Sequence, residues 1–531
     1  MGGKAILPSG FHPVPHDAPQ LMATPHSDRS SDAVSSSGQT LAHAPSGAHY
    51  RELPRVLRRF DAITVVIGSI IGSGIFLKPS TIADTLGAYG FGAIISVWIV
   101  VGLVTLCGSL ALAELAAMLP HAGGPYVYLR EAYGRMPAFL WGWTEFWVIR
   151  TGSLGALAVA TVIYLNKALV LYDPERLRLS MAGQEMLAIA IVAGLSAINF
   201  VATRWGANLQ NATVVVKVGF LVGVIALPFV TGGGSSENLL PLVPGSTDVS
   251  FWRAFGLAAI GVLWAYDGWI NIGPVAEEIQ EPQRNVPLAL TAGLLTVIAV
   301  YVLANVAYHL TLSIDEVKAN SEVAANVVQK LVGPAGGIIV ALGVMCSTFG
   351  AVNSNMITGP RIYFAMARDG LLPKSICTVH ARFQTPSNAI LAQTVWTVAL
   401  IVACYELGPA LERFGVGAWF RARNYEMTFT TLSPDEAFDA LTNFVIFGGS
   451  IFYAMAVAAV FVLRVRRPEW ERPYRTWGYP FVPALYMVFF VAVMASMLID
   501  AFETSMAGMS LIVVGVIYYL WARTRPAARG E

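Results

Sequence analysis

Charge is what this sequence has least of. Only 13 % of its 531 residues are Asp, Glu, Lys or Arg, while 55 % are hydrophobic; a soluble domain carries about 25 % charged residues. That balance excludes a water-solvated chain of several domains and implies one that lies mostly in lipid. Cysteine is scarce too. Cys107, Cys346, Cys377 and Cys404 stand far apart with no Cys-x-x-Cys pair, which argues against a disulfide framework or a zinc site. A net charge of +1, with no basic stripe interleaved with aromatics, gives no sign of a nucleic-acid partner. Strand-like alternation over about ten residues is missing as well, which argues against a membrane β-barrel.

In its place the chain has long apolar runs. Twelve of them, at about 60–85, 90–118, 137–170, 184–203, 207–231, 252–278, 286–312, 335–366, 387–405, 438–465, 480–501 and 507–522, lie near the ~20 residues that a helix needs to cross the hydrocarbon core. The predicted fold class is an all-α integral membrane protein with twelve transmembrane helices. Lys and Arg gather in the connections on one side, among them Arg130, Arg204, Arg284, Arg361, Arg368 and Arg464. The positive-inside rule then puts both termini in the cytoplasm.

Residues 1–50 are rich in Ser, Pro, His, Ala and Gly without an apolar stretch, a composition that predicts a disordered cytoplasmic tail. The tail has no core for a secretory signal, and Ile6 stands where a myristoylation site wants Ser or Thr. Its histidines, His12, His16, His26, His43 and His49, are too irregularly spaced for a metal site. Residues 406–438 are too polar to span and too long for an ordinary hairpin, so an extracellular insertion is expected there.

Two spans are interrupted. The first contains Gly68-Ser69-Ile70-Ile71-Gly72-Ser73-Gly74-Ile75-Phe76, and the sixth contains Trp264-Ala265-Tyr266-Asp267-Gly268-Trp269. Glycine weakens a helix and frees its backbone to unwind. Taken alone, Gly68 and Gly72 are a GxxxG pair, which usually marks close helix packing. Packing does not require a matching interruption five spans later, whereas paired breaks at corresponding positions of two five-helix halves point to an inverted-repeat transporter with its site at the bilayer midplane. The halves would be about 60–231 and 252–465 within a core of 51–465, followed by helices 11 and 12 and a short cytoplasmic C-terminus in 466–531. An unwound turn exposes N–H groups that suit a carboxylate and carbonyls that suit an ammonium. A zwitterionic amino acid offers both.

These breaks carry a family resemblance, together with Ala113-Glu114-Leu115, Gly123-Gly124-Pro125-Tyr126, Glu277-Glu278, Pro282-Gln283-Arg284-Asn285-Val286-Pro287, Phe349-Gly350-Ala351-Val352-Asn353 and Ala367-Arg368-Asp369-Gly370. From about Leu53 to the last span the sequence resembles the amino acid-polyamine-organocation (APC) superfamily and, within it, bacterial-type members of the L-type amino acid transporter (LAT) family. The resemblance implies a LeuT-like 5+5 inverted repeat with discontinuous helices 1 and 6, two peripheral helices, and amino acid transport by alternating access in the cell membrane. It implies that Gly72, Ser73 and Gly74 meet the substrate carboxylate and that carbonyls of Ile70, Trp264 and Asp267, beside Gly268, meet the ammonium. Trp264 would close over the substrate as a gate. Lys217, alone in the apolar fifth span, would replace a bound sodium ion, where the residues by themselves also allow a lysine snorkelling to the interface.

The activity expected is sodium-independent exchange of neutral and/or cationic L-amino acids, with proton-coupled symport of amino acids or polyamines as the alternative. Asp267 either contacts a cationic substrate group or supports the helix break. Glu145 and Arg150 are i and i+5, a spacing that does not favour a same-face pair, and they read as structural. Glu114, Asn353, Glu278 and Arg361 are candidates for coupling or an inner gate. No cofactor or metal is expected. The eukaryotic branch often joins a heavy chain through a cysteine between spans 3 and 4; residues 167–184 contain none, so no disulfide-linked heavy chain is expected. Two rivals are weak. A serine hydrolase pairing Ser73 with His309 lacks a third, orienting group, and a channel lacks any selectivity repeat.

Overall fold

The computed structural model describes residues 52–243, 247–414, 433–500 and 502–524. The predicted tail and the middle of the expected insertion lie outside the described residues. Among the described residues eleven helices are long and apolar enough to cross a membrane, from Arg59–Tyr89 to Phe481–Ile499. A final helix, Phe502–Thr524, contains the shorter apolar stretch Gly508–Ala522 and stands where the twelfth span is expected. Among the described residues the only bridge between extended segments is the isolated parallel pair Leu57 and Ile279. The chain is an all-α membrane bundle.

Both predicted interruptions are present as backbone breaks. Span 1 is helical over Arg59–Ile70, turns extended at Ile71, and resumes as Gly74–Leu86. Span 6 is helical over Val249–Tyr266, extended at Asp267, left-handed at Gly268 (φ 108°), and continues as the 3-10 turns Trp269–Glu278. Gly268 is needed twice over. Its φ suits only glycine well, and a Cβ there would sit 2.5 Å from the Ser69 carbonyl oxygen. The two breaks therefore touch each other in the middle of the bundle.

The glycines of span 1 divide by role. A Cβ on Gly68 would collide with the Gln210 side chain of span 5, and one on Gly74 would lie 2.6 Å from the Ala265 Cα, whereas one on Gly72 would meet only Leu157 at 3.7 Å and Ala351 at 3.9 Å. Helix packing thus accounts for Gly68 and Gly74. Gly72 has room for a Cβ in ordinary contact with Leu157 and Ala351.

Spans 9 and 10 run past the bilayer. Helix Ser387–Arg413 has 27 residues, about 40 Å at 1.5 Å per residue against a ~30 Å hydrocarbon core. Helix Pro434–Arg466 likewise begins ahead of the apolar run expected at 438–465. The polar residues at both edges of the expected 406–438 insertion are therefore helix ends.

Candidate functional site

Span 3 contains the feature that sequence spacing hides. Between helices Arg135–Thr144 and Arg150–Tyr172 the chain makes a π-helical turn, Glu145–Ile149. A π turn bonds i to i+5, and it brings Glu145 and Arg150 onto one face. Arg150 Nε donates to Glu145 Oε2 at 2.9 Å, and Arg150 Nη1 donates to Asn355 Oδ1 at 2.6 Å. Both charged side chains are buried.

Arg150 and Asn355 help to line a cavity at the two breaks, together with Gly72, Ser73, Asp267 and Tyr453. Tyr453 Oη donates to Asp267 Oδ1 at 2.8 Å. Asp267 therefore has a hydroxyl partner from span 10 and the Arg150 charge within the same cavity. Trp264 and Gly268 lie on its wall too, so every residue expected at the substrate site borders one space: Ile70, Gly72, Ser73, Gly74, Trp264, Asp267 and Gly268. The N–H groups of Gly72, Ser73 and Gly74 take no backbone partner outside the helices, as is expected of a helix N-terminus.

The exposed carbonyls of the first break are held by three side chains. Lys217 is fully buried, and its Nζ donates to the carbonyls of Ile71 at 2.7 Å, Gly68 at 3.2 Å and Ser347 at 3.2 Å. Ser347 Oγ reaches the carbonyl of Gly72 at 2.9 Å. Tyr301 Oη lies 3.2 Å from the Ile70 carbonyl and 3.1 Å from that of Ala265, bridging the two broken helices. Snorkelling by Lys217 is thereby overturned: its ammonium points into the protein and ties span 5 to spans 1 and 8.

The inner-gate candidates do not form one cluster. Arg361 donates from Nε and Nη2 to Glu278 at 2.6 and 3.1 Å, and both side chains are buried. Beside them Arg368 grips Glu277 through two bonds of 2.9 Å, while Glu277 also accepts from the backbone N–H groups of Leu53 and Ala122. Glu114 pairs elsewhere, with Arg464 of span 10 at 2.6 Å and with the Thr476 N–H. Asn353 sits in a polar knot, bonding Asn199, the Gly206 carbonyl and Gln210. These carboxylate–arginine pairs lie at the end of the bundle where basic residues collect.

His309 Nδ1 donates to the Asn305 carbonyl at 3.0 Å and the ring packs on Phe91; no hydrogen bond joins it to Ser73. Sequence reasoning missed Ser347, Tyr301, Asn355 and Tyr453. The available signal was polarity inside apolar spans, which does not say which neighbour a side chain meets.

Two broken helices touching at mid-bundle beside a polar cavity define a membrane carrier of small molecules. The amino acid permease family model matches residues 57–520, and the chain belongs to that family. It is 31 % identical over 473 residues to the serine/threonine exchanger SteT of Bacillus subtilis, covering 88 % of this chain and 96 % of that protein. It is 28 % identical to the large neutral amino acids transporter small subunit 2 of Rattus norvegicus (93 % and 85 % covered) and 29 % identical to the human b(0,+)-type amino acid transporter 1 (79 % and 78 %). The protein is a multi-pass amino acid transporter of the APC superfamily, LAT-like in sequence, and not an enzyme.

Proposed function

We propose that this transporter exchanges neutral and/or cationic L-amino acids across the cell membrane, without sodium, by alternating access. The observation that carries the reading is the Lys217 ammonium bonded to three carbonyls at the first break. A fixed cation there satisfies oxygens that would otherwise suit a bound metal cation. The substrate carboxylate meets the N–H groups of Gly72, Ser73 and Gly74 and the Ser73 hydroxyl, and its ammonium meets carbonyls at Ile70, Trp264 and Asp267. Gly268 permits the break, and Trp264 closes over the bound molecule.

The charge beside the substrate side chain favours this substrate class. The Arg150 guanidinium is engaged by Glu145 and Asn355 while Asp267 lines the cavity, and an acidic group beside the substrate suits a neutral or cationic side chain better than an anionic one. Glu278–Arg361, with Glu277–Arg368 beside it, closes the cytoplasmic end, and Glu114 and Asn353 support that closure through span 2 and span 5. Both termini are cytoplasmic and 51–465 is the transport core. Residues 167–184, between spans 3 and 4, contain no cysteine, which favours a transporter that works without a disulfide-linked heavy chain.

One buried oxygen favours a second reading. Among the described residues Glu145 Oε1 has no hydrogen-bond partner, so this oxygen is available to take a proton, as symport would need. Uptake of radiolabelled leucine and arginine into proteoliposomes separates the two. Exchange predicts uptake that requires internal amino acid and is unchanged when choline replaces sodium. Uptake into empty vesicles that is driven by an inward proton gradient would replace exchange by proton symport, and a sodium requirement would overturn the role given to Lys217.

A further inference from the structure

A second cavity lies on the outer side of the π turn. Its volume is about 270 Å³, against about 60 Å³ for the central one, and its wall is nearly all apolar: Phe139, Trp143, Phe146 and Trp147 of span 3, Ala392 of span 9 and Tyr518 of span 12. Trp143, Phe146 and Trp147 are half-buried and Tyr518 is 41 % exposed, so the cavity communicates with the bundle surface. In a membrane protein that surface is lipid.

The rim at the basic end is formed by Pro373 and Ile376, and Lys374 between them is exposed. Arg135, also exposed, is four residues before Phe139 and so on the same helix face. Among the described residues neither cation has an ion-pair partner, whereas the nearby Asp369 carboxylate is already taken by Tyr126 at 2.5 Å and Arg130 at 2.6 Å. An aromatic-walled apolar slot ending at two unpaired cations fits a molecule with a hydrocarbon chain and an anionic head.

We propose that this cavity is a binding site for an anionic phospholipid of the leaflet at the basic end. One acyl chain enters between spans 3, 9 and 12, and the headgroup phosphate lies between Lys374 and Arg135. The chain then rests on Phe146 and Trp147, two residues of the same π turn whose inner face presents Glu145 to Arg150. Phe146 also packs edge-on against Tyr363 of span 8, with ring centroids 4.9 Å apart, so the lipid borders the two helices that hold Arg150 and Asn355 together.

The test is lipid retention by the full-length protein in detergent, read by native mass spectrometry after titration with phosphatidylglycerol, with phosphatidylcholine of the same chains, or with glycerol 3-phosphate. The proposal expects phosphatidylglycerol to be retained over phosphatidylcholine, and glycerol 3-phosphate not to be retained. Lys374→Gln and Arg135→Gln each weaken phosphatidylglycerol retention about fivefold, the worth of one cation at an anionic surface. Ala392→Phe fills the slot and removes retention; Ala392→Leu, a milder filling, weakens it and guards against a misfolded Phe variant. Equal retention of the two lipids, or surface variants that bind like the wild type, would overturn the proposal. Retention of glycerol 3-phosphate by itself would reduce it to a phosphate site without the chain.

Discussion

Lys217 shows how much one buried charge does here. An ammonium in a low-dielectric interior is stable only when its hydrogen bonds are made, and its three carbonyl partners belong to the two helices that must stay aligned around the cavity. Lys217→Ala leaves those carbonyls without their charged donor. At roughly 1.5–3 kcal/mol per charge-assisted bond, exchange is expected to fall by at least about a hundredfold, measured as initial uptake with the amount of folded protein held equal. The glycines of the breaks should separate in the same assay. Gly72→Ala adds a methyl to the cavity wall without a clash, so it should fold as the wild type does while raising KM. Gly268→Ala places a Cβ against the Ser69 carbonyl at a φ of 108°; strain of about 1–3 kcal/mol before the clash is counted should lower both Tm and uptake.

His121, in the connection after span 2, gives a pH signature. Burial pushes its imidazole below the ordinary histidine value, with the Glu277 carboxylate opposing the shift in part. The folded state then binds this proton less readily than the unfolded chain, so the associated stability is present above about pH 6.5 and is lost as pH falls below it. Scans of Tm across that window should show a steeper acid-side fall for the wild type than for His121→Gln.

Elements transmit these local facts. The 3-10 segment Trp269–Glu278 and helix Ala335–Arg368 are joined by Glu278–Arg361, a buried bidentate pair backed by the Thr203 hydroxyl at 2.9 Å. Glu278→Gln strands a buried guanidinium and is expected to cost about 3–5 kcal/mol, whereas Glu278→Met with Arg361→Met removes both charges and should recover much of that loss. Thermal unfolding of both variants checks this. If the pair also acts as the cytoplasmic gate, the double variant regains Tm and still exchanges poorly. The π turn matters on the same scale. A regular α-helix rotates about 100° per residue, so the extra residue in that turn is what places Arg150 over Glu145.

For the molecule as a whole, most of the architecture was legible before any coordinates. Hydropathy located every long span because lipid requires long apolar helices, and the two breaks were visible as glycines where glycine is unfavourable. Less legible were the ends of helices in water, as at spans 9 and 10, where apolar runs stop before the backbone hydrogen bonding does. The lack of a cysteine between spans 3 and 4 leads to a prediction at this scale. The purified chain alone, reconstituted without any partner and treated or not with reductant, should transport at the same rate.

What the amino-acid sequence determined by itself is the class of protein, its spans, its family and the backbone of the candidate site. All of these depend on local composition: apolar length, glycine at mid-depth, a lone lysine in an apolar run. The tertiary structure decided which side chains meet. Ser347 and Asn355 come from span 8, Tyr301 from span 7 and Tyr453 from span 10, and their partners lie far away in the chain. Glu145 and Arg150 are near neighbours in sequence, yet their pairing depends on a π turn. Helical rotation and helix–helix packing set those contacts, and neither can be read from spacing along one chain.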